Sequence, residues 1–204
     1  MSETQVLVAG AGPTGLVLAL WLTHLGVRVR IIDRMEAPGT TSRALGVQAR
    51  TLELYRQLGL AAPAVAQGLP FAAANLWARG RRIARAAFGA MGTGISPYPY
   101  MLIFPQDEHE RLLIAFLAAA GVEVERRTEL LGLEDTGGRV LARLRRPDGT
   151  QETCEVAYLA GCDGARSVVR EALHVGFPGG TYTHIFYVAD VQAEGPVMDQ
   201  ELHV

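Results

Sequence analysis

Only two of the 204 residues are cysteine, Cys154 and Cys162. That is too few for a disulfide scaffold or a cysteine-built zinc site, and it fits a reducing cytoplasm. Long apolar runs are also missing. Leu16–Leu22 is far too short to span a bilayer, as is the longer Leu112–Ala120, and the N-terminus has neither a basic leader nor a small-residue cleavage site. A soluble, cytoplasmic chain with no membrane contact is expected. No charge of one sign predominates: the formal net charge is −2, which gives no reason to expect a nucleic-acid partner. Arg79, Arg81, Arg82 and Arg85 alternate with apolar residues and read as a solvated strand edge. The five histidines (His24, His109, His174, His184 and His203) have no metal-ligand spacing. No Ser–His–Asp nucleophile can be proposed from residue order.

What is present is an ordinary globular mix, 49% hydrophobic and 20% charged, with length enough for one core and part of another. Gln5–Ala9 is a β-branched and apolar run that ends in Gly10, the pattern of a buried strand. A helix from Pro13 to a C-terminal Gly26 and a second strand over Val27–Asp33 complete a βαβ unit. A further helix is predicted from about Val47 to Leu58, stopping at Gly59, with Glu53 and Arg56 placed to pair on its exposed face. Leu69–Trp77 and Arg82–Phe88 read as strands of a second sheet, followed by a loop over Gly89–Pro99 and a short strand over Met101–Phe104. Asp107, with Glu110 three residues on, is expected to cap a helix ending at Gly121. Val122–Glu125 is expected to be a parallel strand. Leu130–Leu133, Val140–Arg145 and Thr150–Leu159 alternate as a β-meander with Pro147-Asp148-Gly149 as a turn. A last helix is predicted over Ala165–Leu173, and a strand over Tyr182–Val191.

The chemistry-bearing signal is Gly10-Ala11-Gly12-Pro13-Thr14-Gly15, a G-x-G-x-x-G between a strand and a helix. Gly10 permits the tight turn, Gly12 lets a diphosphate approach the backbone, and Gly15 lets the helix pack close to the strand. Pro13 and Thr14 open the helix, whose N–H groups and dipole favour an anion. Asp33, at the end of the second strand with Arg34 beside it, stands where a carboxylate accepts from ribose hydroxyls. A second constellation runs Tyr158-Leu159-Ala160-Gly161-Cys162-Asp163-Gly164-Ala165-Arg166. There Asp163 either accepts from a ribose or ribityl hydroxyl or caps the helix that follows, and Gly164 keeps the turn free of a side chain.

Taken in order, these segments resemble the class A flavoprotein monooxygenases, the aromatic hydroxylases that include phenol hydroxylase, p-hydroxybenzoate hydroxylase and the aromatic polyketide hydroxylases. Gly10–Gly15 with Asp33 is similar to that family's ADP-binding fingerprint, where the acidic residue is more often Glu. Ser42–Glu53 is similar to its arginine-bearing loop and following helix, which assigns Arg43 to cofactor phosphate. Pro105–Leu113 is similar to the segment whose glutamine, here Gln106, reaches the flavin ribityl chain, and Asp163–Arg170 is similar to the DG motif. The resemblance implies an α/β fold, a Rossmann-like FAD-binding domain with a parallel sheet and a β-meander crossover, interrupted by part of a mainly β substrate domain. It places the FAD-binding domain at 1–69 and 101–175 and the partial substrate domain at 70–100 and 176–204.

The implied activity is FAD-dependent hydroxylation of a small aromatic, phenolic or polyketide-like substrate with O2 and NADPH as co-substrates. A homo-oligomer is compatible with it. The chemistry belongs to the cofactor, so no amino-acid nucleophile is expected. The family's later Gly-Asp segment is not found after Val191, so a truncated N-terminal portion is expected. Another FAD oxidoreductase on the same scaffold (an epoxidase, halogenase or reductase) and a non-catalytic FAD-binding fragment remain open at this point.

Overall fold

Val6–Ala9 forms β1, buried along its whole length, as the continuous apolar run requires of a strand covered on both faces. Pro13–His24 forms α1, with Gly12 at its N-cap and Pro13 in its first turn, where a missing N–H costs nothing. Gly26, at φ +77°, closes it, and the chain returns as β2, Val29–Ile32, parallel to β1 with Val6 opposite Val29. The computed structural model describes residues 4–40, 44–89, 91–187, 189, 191–192, 194–195, 198–199 and 201–204. Among them, no helix is long and apolar enough to cross a membrane.

The next stretch contains β3 (Gly46–Val47), α2 (Ala49–Gln57), α3 (Ala61–Gln67), β4 (Leu69–Pro70), β5 (Ala73–Ala78), β6 (Arg81–Ala87), β7 (Leu102–Ile103) and α4 (Gln106–Ala119). The helix α3 was not expected from sequence; Ala61 and Ala64 are buried, and Pro63 sits early enough in it to be tolerated. On α2, Glu53 pairs with Arg50 rather than Arg56, at 3.0 Å. Three residues back lies as close on a helix surface as three residues forward. The helix α4 starts at Gln106, so Asp107 lies inside its first turn and does not cap it.

β8 (Val124–Glu125), β9 (Glu129–Asp135), β10 (Val140–Arg145), β11 (Gln151–Val156), β12 (Tyr158–Gly161), α5 (Val168–Ala172) and β13 (Leu202–His203) follow. The predicted helix over Ala165–Leu173 is in fact divided. A 3₁₀ turn covers Gly164–Arg166, and Ser167 then caps α5, its Oγ accepting from the Arg170 N–H at 3.0 Å. The predicted strand over Tyr182–Val191 is not formed in its described residues, and Tyr182–Tyr187 are exposed. No described strand offers them a ladder.

The chain divides into two compact units, one of Met1–Thr40 with Glu110–Ile185 and one of Thr41–His109 with Phe186–Val204. In the first, a parallel sheet has the order β12-β1-β2-β8, and β9, β10 and β11 form an antiparallel meander. Period-two alternation sends Leu7 and Ala9 of β1 to one face. There they join Ile32, the meander residues Leu130, Ala142, Leu144, Cys154 and Val156, and Val169 in one buried cluster. Arg30 of β2 grips Glu125 of β8 with both ends of its fork, at 2.6 and 2.8 Å. It also meets Glu152 of β11 at 2.6 Å, so sheet edge and meander are tied at one guanidinium.

The second unit holds the sheets β3-β7-β4 and β13-β5-β6. β6 is exposed throughout, as its alternating arginines suggest, and Arg85 binds Glu201. At this unit's centre the Tyr55 hydroxyl lies 2.7 Å from His109 Nε2, both buried, with Phe104 against the imidazole. Burial pushes the Tyr55 phenol well above its usual range and holds His109 below its ordinary 6.5. Below pH 6.5 the unfolded chain therefore takes up a proton that the folded chain refuses. Stability should fall with pH across that window by up to about 1.4 kcal/mol per unit until the folded imidazole itself titrates. Urea midpoints at pH 7.5 and 5.5 check this. His109→Gln, which can still bond Tyr55, should lose less stability between those pH values than the parent, and an equal loss would remove His109 as the cause.

Candidate functional site

The parallel strands of the first unit end together, and their C-terminal edge collects most of the residues singled out by sequence. β1 runs into the glycine turn. An ideal Cβ on Gly10 would stand 2.3 Å from the Cys162 carbonyl oxygen, and one on Gly15 would stand 1.9 Å from the Gly10 carbonyl oxygen. Both glycines are therefore required by the protein's own packing. Gly12 is different: its φ is −78°, open to any residue, and a Cβ there would meet nothing within 4 Å. Nothing in the fold demands glycine at that position, and the free space lies at the N-terminus of a 12-residue helix, where unpaired N–H groups favour an anion. Pro13 and the exposed Thr14 form the first turn of that helix.

Asp33 follows β2 immediately. Its Oδ2 accepts from the Ala11 N–H at 2.7 Å and its Oδ1 from the Met35 N–H at 2.7 Å. The carboxylate thus clamps the glycine turn while each oxygen keeps a free lone pair. Arg34 is exposed on the bend beside it.

Asp163 follows β12, on the other side of β1. Its Oδ2 accepts from the Val168 and Val169 N–H groups at 2.7 and 3.3 Å, so this oxygen serves the start of α5. Its Oδ1 is sealed from solvent and has no partner. The sequence leaves Asp163 between a capping and a hydroxyl-binding role; Oδ2 takes the first. Gly164 has φ +74°, a backbone shape that glycine adopts without strain. Burial, with the Asp163 charge adding to it, raises the Cys162 thiol, which keeps a neutral side chain behind the turn.

Gln106 is the half-buried first residue of α4 and belongs to the other compact unit. Arg43 lies outside the described residues. One residue at this edge was missed from sequence. Arg126, just past β8, has its Nη1 3.9 Å from Asp33 Oδ2, and its Nη2 is buried without a partner. The available signal was its position directly after a predicted parallel strand, which carries weight only once the strand order is known. Among the described residues, no group of three His, Cys, Asp or Glu side chains stands together to hold a metal.

The edge thus presents carboxylates that follow strands either side of the glycine turn, the strands themselves two spacings or about 10 Å apart, with an open cradle between them. That arrangement suits a diphosphate carrying a hydroxylated group at each end. Among the described residues the sealed, unpaired side-chain polar atoms are Asp163 Oδ1 and Arg126 Nη2. Buried polar groups in native folds are nearly always paired, with protein, ordered water or a bound group. The residues present fit FAD.

Comparison with known proteins agrees. The FAD binding domain family matches residues 3–203. The chain is 43% identical over 202 residues to 6-methylpretetramide 4-monooxygenase of Streptomyces rimosus, covering 98% of this chain and 35% of that one. It is 34% identical over 189 residues to pentachlorophenol 4-monooxygenase of Sphingobium chlorophenolicum, covering 89% and 34%. Among solved structures, the flavin-dependent monooxygenase PieE in complex with FAD and substrate superposes with a TM-score of 0.80 at 30% identity, over 87% of this chain and 33% of that chain. A ternary complex of aklavinone-11 hydroxylase with FAD and aklavinone gives 0.75 at 34% identity, over 85% and 35%. The chain therefore spans about a third of the length of the proteins it matches.

Proposed function

The chain belongs to the FAD binding domain family, and from that premise we propose that it holds FAD for a monooxygenase that hydroxylates an aromatic, phenolic or polyketide-like substrate with O2 and NAD(P)H. The observation that carries the reading is the strand-end edge itself. An open cradle at Gly12 and a sealed, unpaired Asp163 oxygen are features that the fold alone leaves unexplained. When bound, FAD supplies the electron transfer from the nicotinamide and the activation of O2.

In this reading the chain's residues bind and orient. The N-terminal turn of α1 and the cradle at Gly12 hold the diphosphate, and Asp33 accepts from the adenosine ribose. Asp163 Oδ1 accepts from the ribityl chain on the far side of β1. The family resemblance, and not a placement in the fold, assigns Gln106, which carries a donor and an acceptor, to the same chain and Arg43 to phosphate. These assignments rest on the likeness of Pro105–Leu113 and Ser42–Glu53 to the corresponding family segments. The reading gives no side chain a nucleophile's role, because the cofactor carries the chemistry. Relatives whose names specify a phenol or a polyketide-derived ring support the substrate class.

The test is cofactor identity. Purified chain should take up one equivalent of FAD, seen by its visible absorbance and quenched fluorescence, and should not exchange it for NAD. Saturable NAD binding with no flavin uptake would defeat the assignment. In the whole protein, oxygen from labelled O2 should appear in a phenolic product as NAD(P)H is consumed.

A further inference from the structure

We propose that Arg126 recognises the adenosine half of FAD, donating from its buried Nη2 to an acceptor on the adenosine. This deepens the FAD reading above and rests on it.

The backbone fixes Arg126 beside Asp33. The Asp33 N–H donates to the Glu125 carbonyl at 2.9 Å, the Thr128 N–H to the Asp33 carbonyl at 3.0 Å, and the Arg127 N–H to the Met35 carbonyl at 3.2 Å. The buried Thr128 turns its hydroxyl back onto the Arg126 carbonyl at 3.2 Å. The turn after β8 is therefore stitched to the residues after β2. From it the guanidinium lies alongside the Asp33 carboxylate rather than out in solvent, with its side chain 20% exposed.

A guanidinium N–H sealed from water without an acceptor is costly. The other sealed atom at this edge, Asp163 Oδ1, is an acceptor without a donor. The two cannot serve each other. In the strand order β12-β1-β2-β8 the strands that carry them stand three spacings apart, about 14 Å between backbones, with the glycine turn between them. A ligand that satisfies both must present hydroxyl donors at one end, an acceptor at the other and an anion in the middle. In FAD these are the ribityl chain, the adenosine and the diphosphate. Arg126 lies on the Asp33 side, which makes its acceptor a ribose oxygen or an adenine ring nitrogen. Asp33, within 3.9 Å, would repel a phosphate on that ribose, so the pair also favours an unphosphorylated adenosine.

The experiment titrates FAD, ADP and FMN against the parent chain, Arg126→Met and Arg126→Lys by flavin fluorescence and calorimetry, with thermal midpoints as a check on folding. Loss of a hydrogen bond from a charged donor should weaken FAD and ADP by about 10- to 100-fold in Arg126→Met. FMN, which has no adenosine, should bind unchanged. Should Arg126→Met not fold, Arg126→Lys keeps the charge beside Asp33 but not the planar fork, and the same ADP-selective loss is expected there. ADP binding within twofold of the parent, or an equal loss for FMN, would overturn the role of Arg126. ADP bound normally by the parent with no FAD uptake would sink the FAD reading while leaving Arg126 an adenosine contact. A parent chain that binds neither would overturn both.

Discussion

Gly12→Val should lose FAD by at least about 100-fold, roughly 2.7 kcal/mol of binding free energy, while the chain still folds. The separation of the two effects follows from geometry. A Cβ at position 12 meets no protein atom within 4 Å, and the backbone φ of −78° suits any residue. The folded protein therefore has no steric objection to a Cβ there. Its only intrinsic cost is a poorer N-cap for α1, about 1 kcal/mol. The space that valine fills is the space through which a diphosphate reaches the helix N-terminus. Gly12→Ser sharpens the test, because serine is a good N-cap and should fold as well as the parent, yet it still crowds the cradle. A flavin titration beside a thermal melt reads both quantities. Wild-type flavin occupancy in Gly12→Val would mean that the diphosphate does not sit on this loop.

Gly10→Ala should do the opposite and damage the fold, costing about 3 kcal/mol or more of stability. Gly10 has φ +105°, outside even the left-handed well that asparagine visits. Its Cβ would stand 2.3 Å from the Cys162 oxygen, 2.5 Å from the Cys162 carbonyl carbon and 2.9 Å from the Asp163 nitrogen. All three are backbone atoms of the chain leaving β12, which is bonded back to β1 through the Cys162 N–H and the Ala9 carbonyl at 2.7 Å. Relief requires β12 to part from β1, and Asp163 would move with it. Urea denaturation measures the loss. A change below about 1 kcal/mol, the size of an ordinary substitution, would show that the turn has another low-energy shape.

Much of this was legible in the sequence wherever the deciding forces are local. β1, the glycine turn and α1 are written as an apolar run, a φ > 0 residue and a proline-opened helix. The meander is written as alternation broken at Pro147-Asp148-Gly149, where Asp148 accepts from the Thr150 N–H at 2.9 Å. The apolar run of Val27–Asp33 sufficed to place Asp33 at a strand end. Three of the failures involve choices among partners. Glu53 had arginines on either side at helical distance, and only the folded surface selects Arg50. The break at Ser167 depends on two side chains that share the start of α5, Asp163 taking the Val168 and Val169 N–H groups and Ser167 that of Arg170. Tyr182–Tyr187 have strand-like composition, but a strand exists only where another edge bonds to it, and composition cannot supply that edge.

Arg126 is the clearest case. Nothing in its neighbourhood distinguishes it from Arg127, which turns to Glu36 instead. Its place beside Asp33 comes from the pairing of Ile31 with Val124 across nearly a hundred residues of chain. Local pattern can specify which segments become strands, because each residue's preference is expressed within a few neighbours. The order in which strands assemble is settled by burial of whole faces against each other, and that order alone brings residues 33, 126 and 163 to one edge.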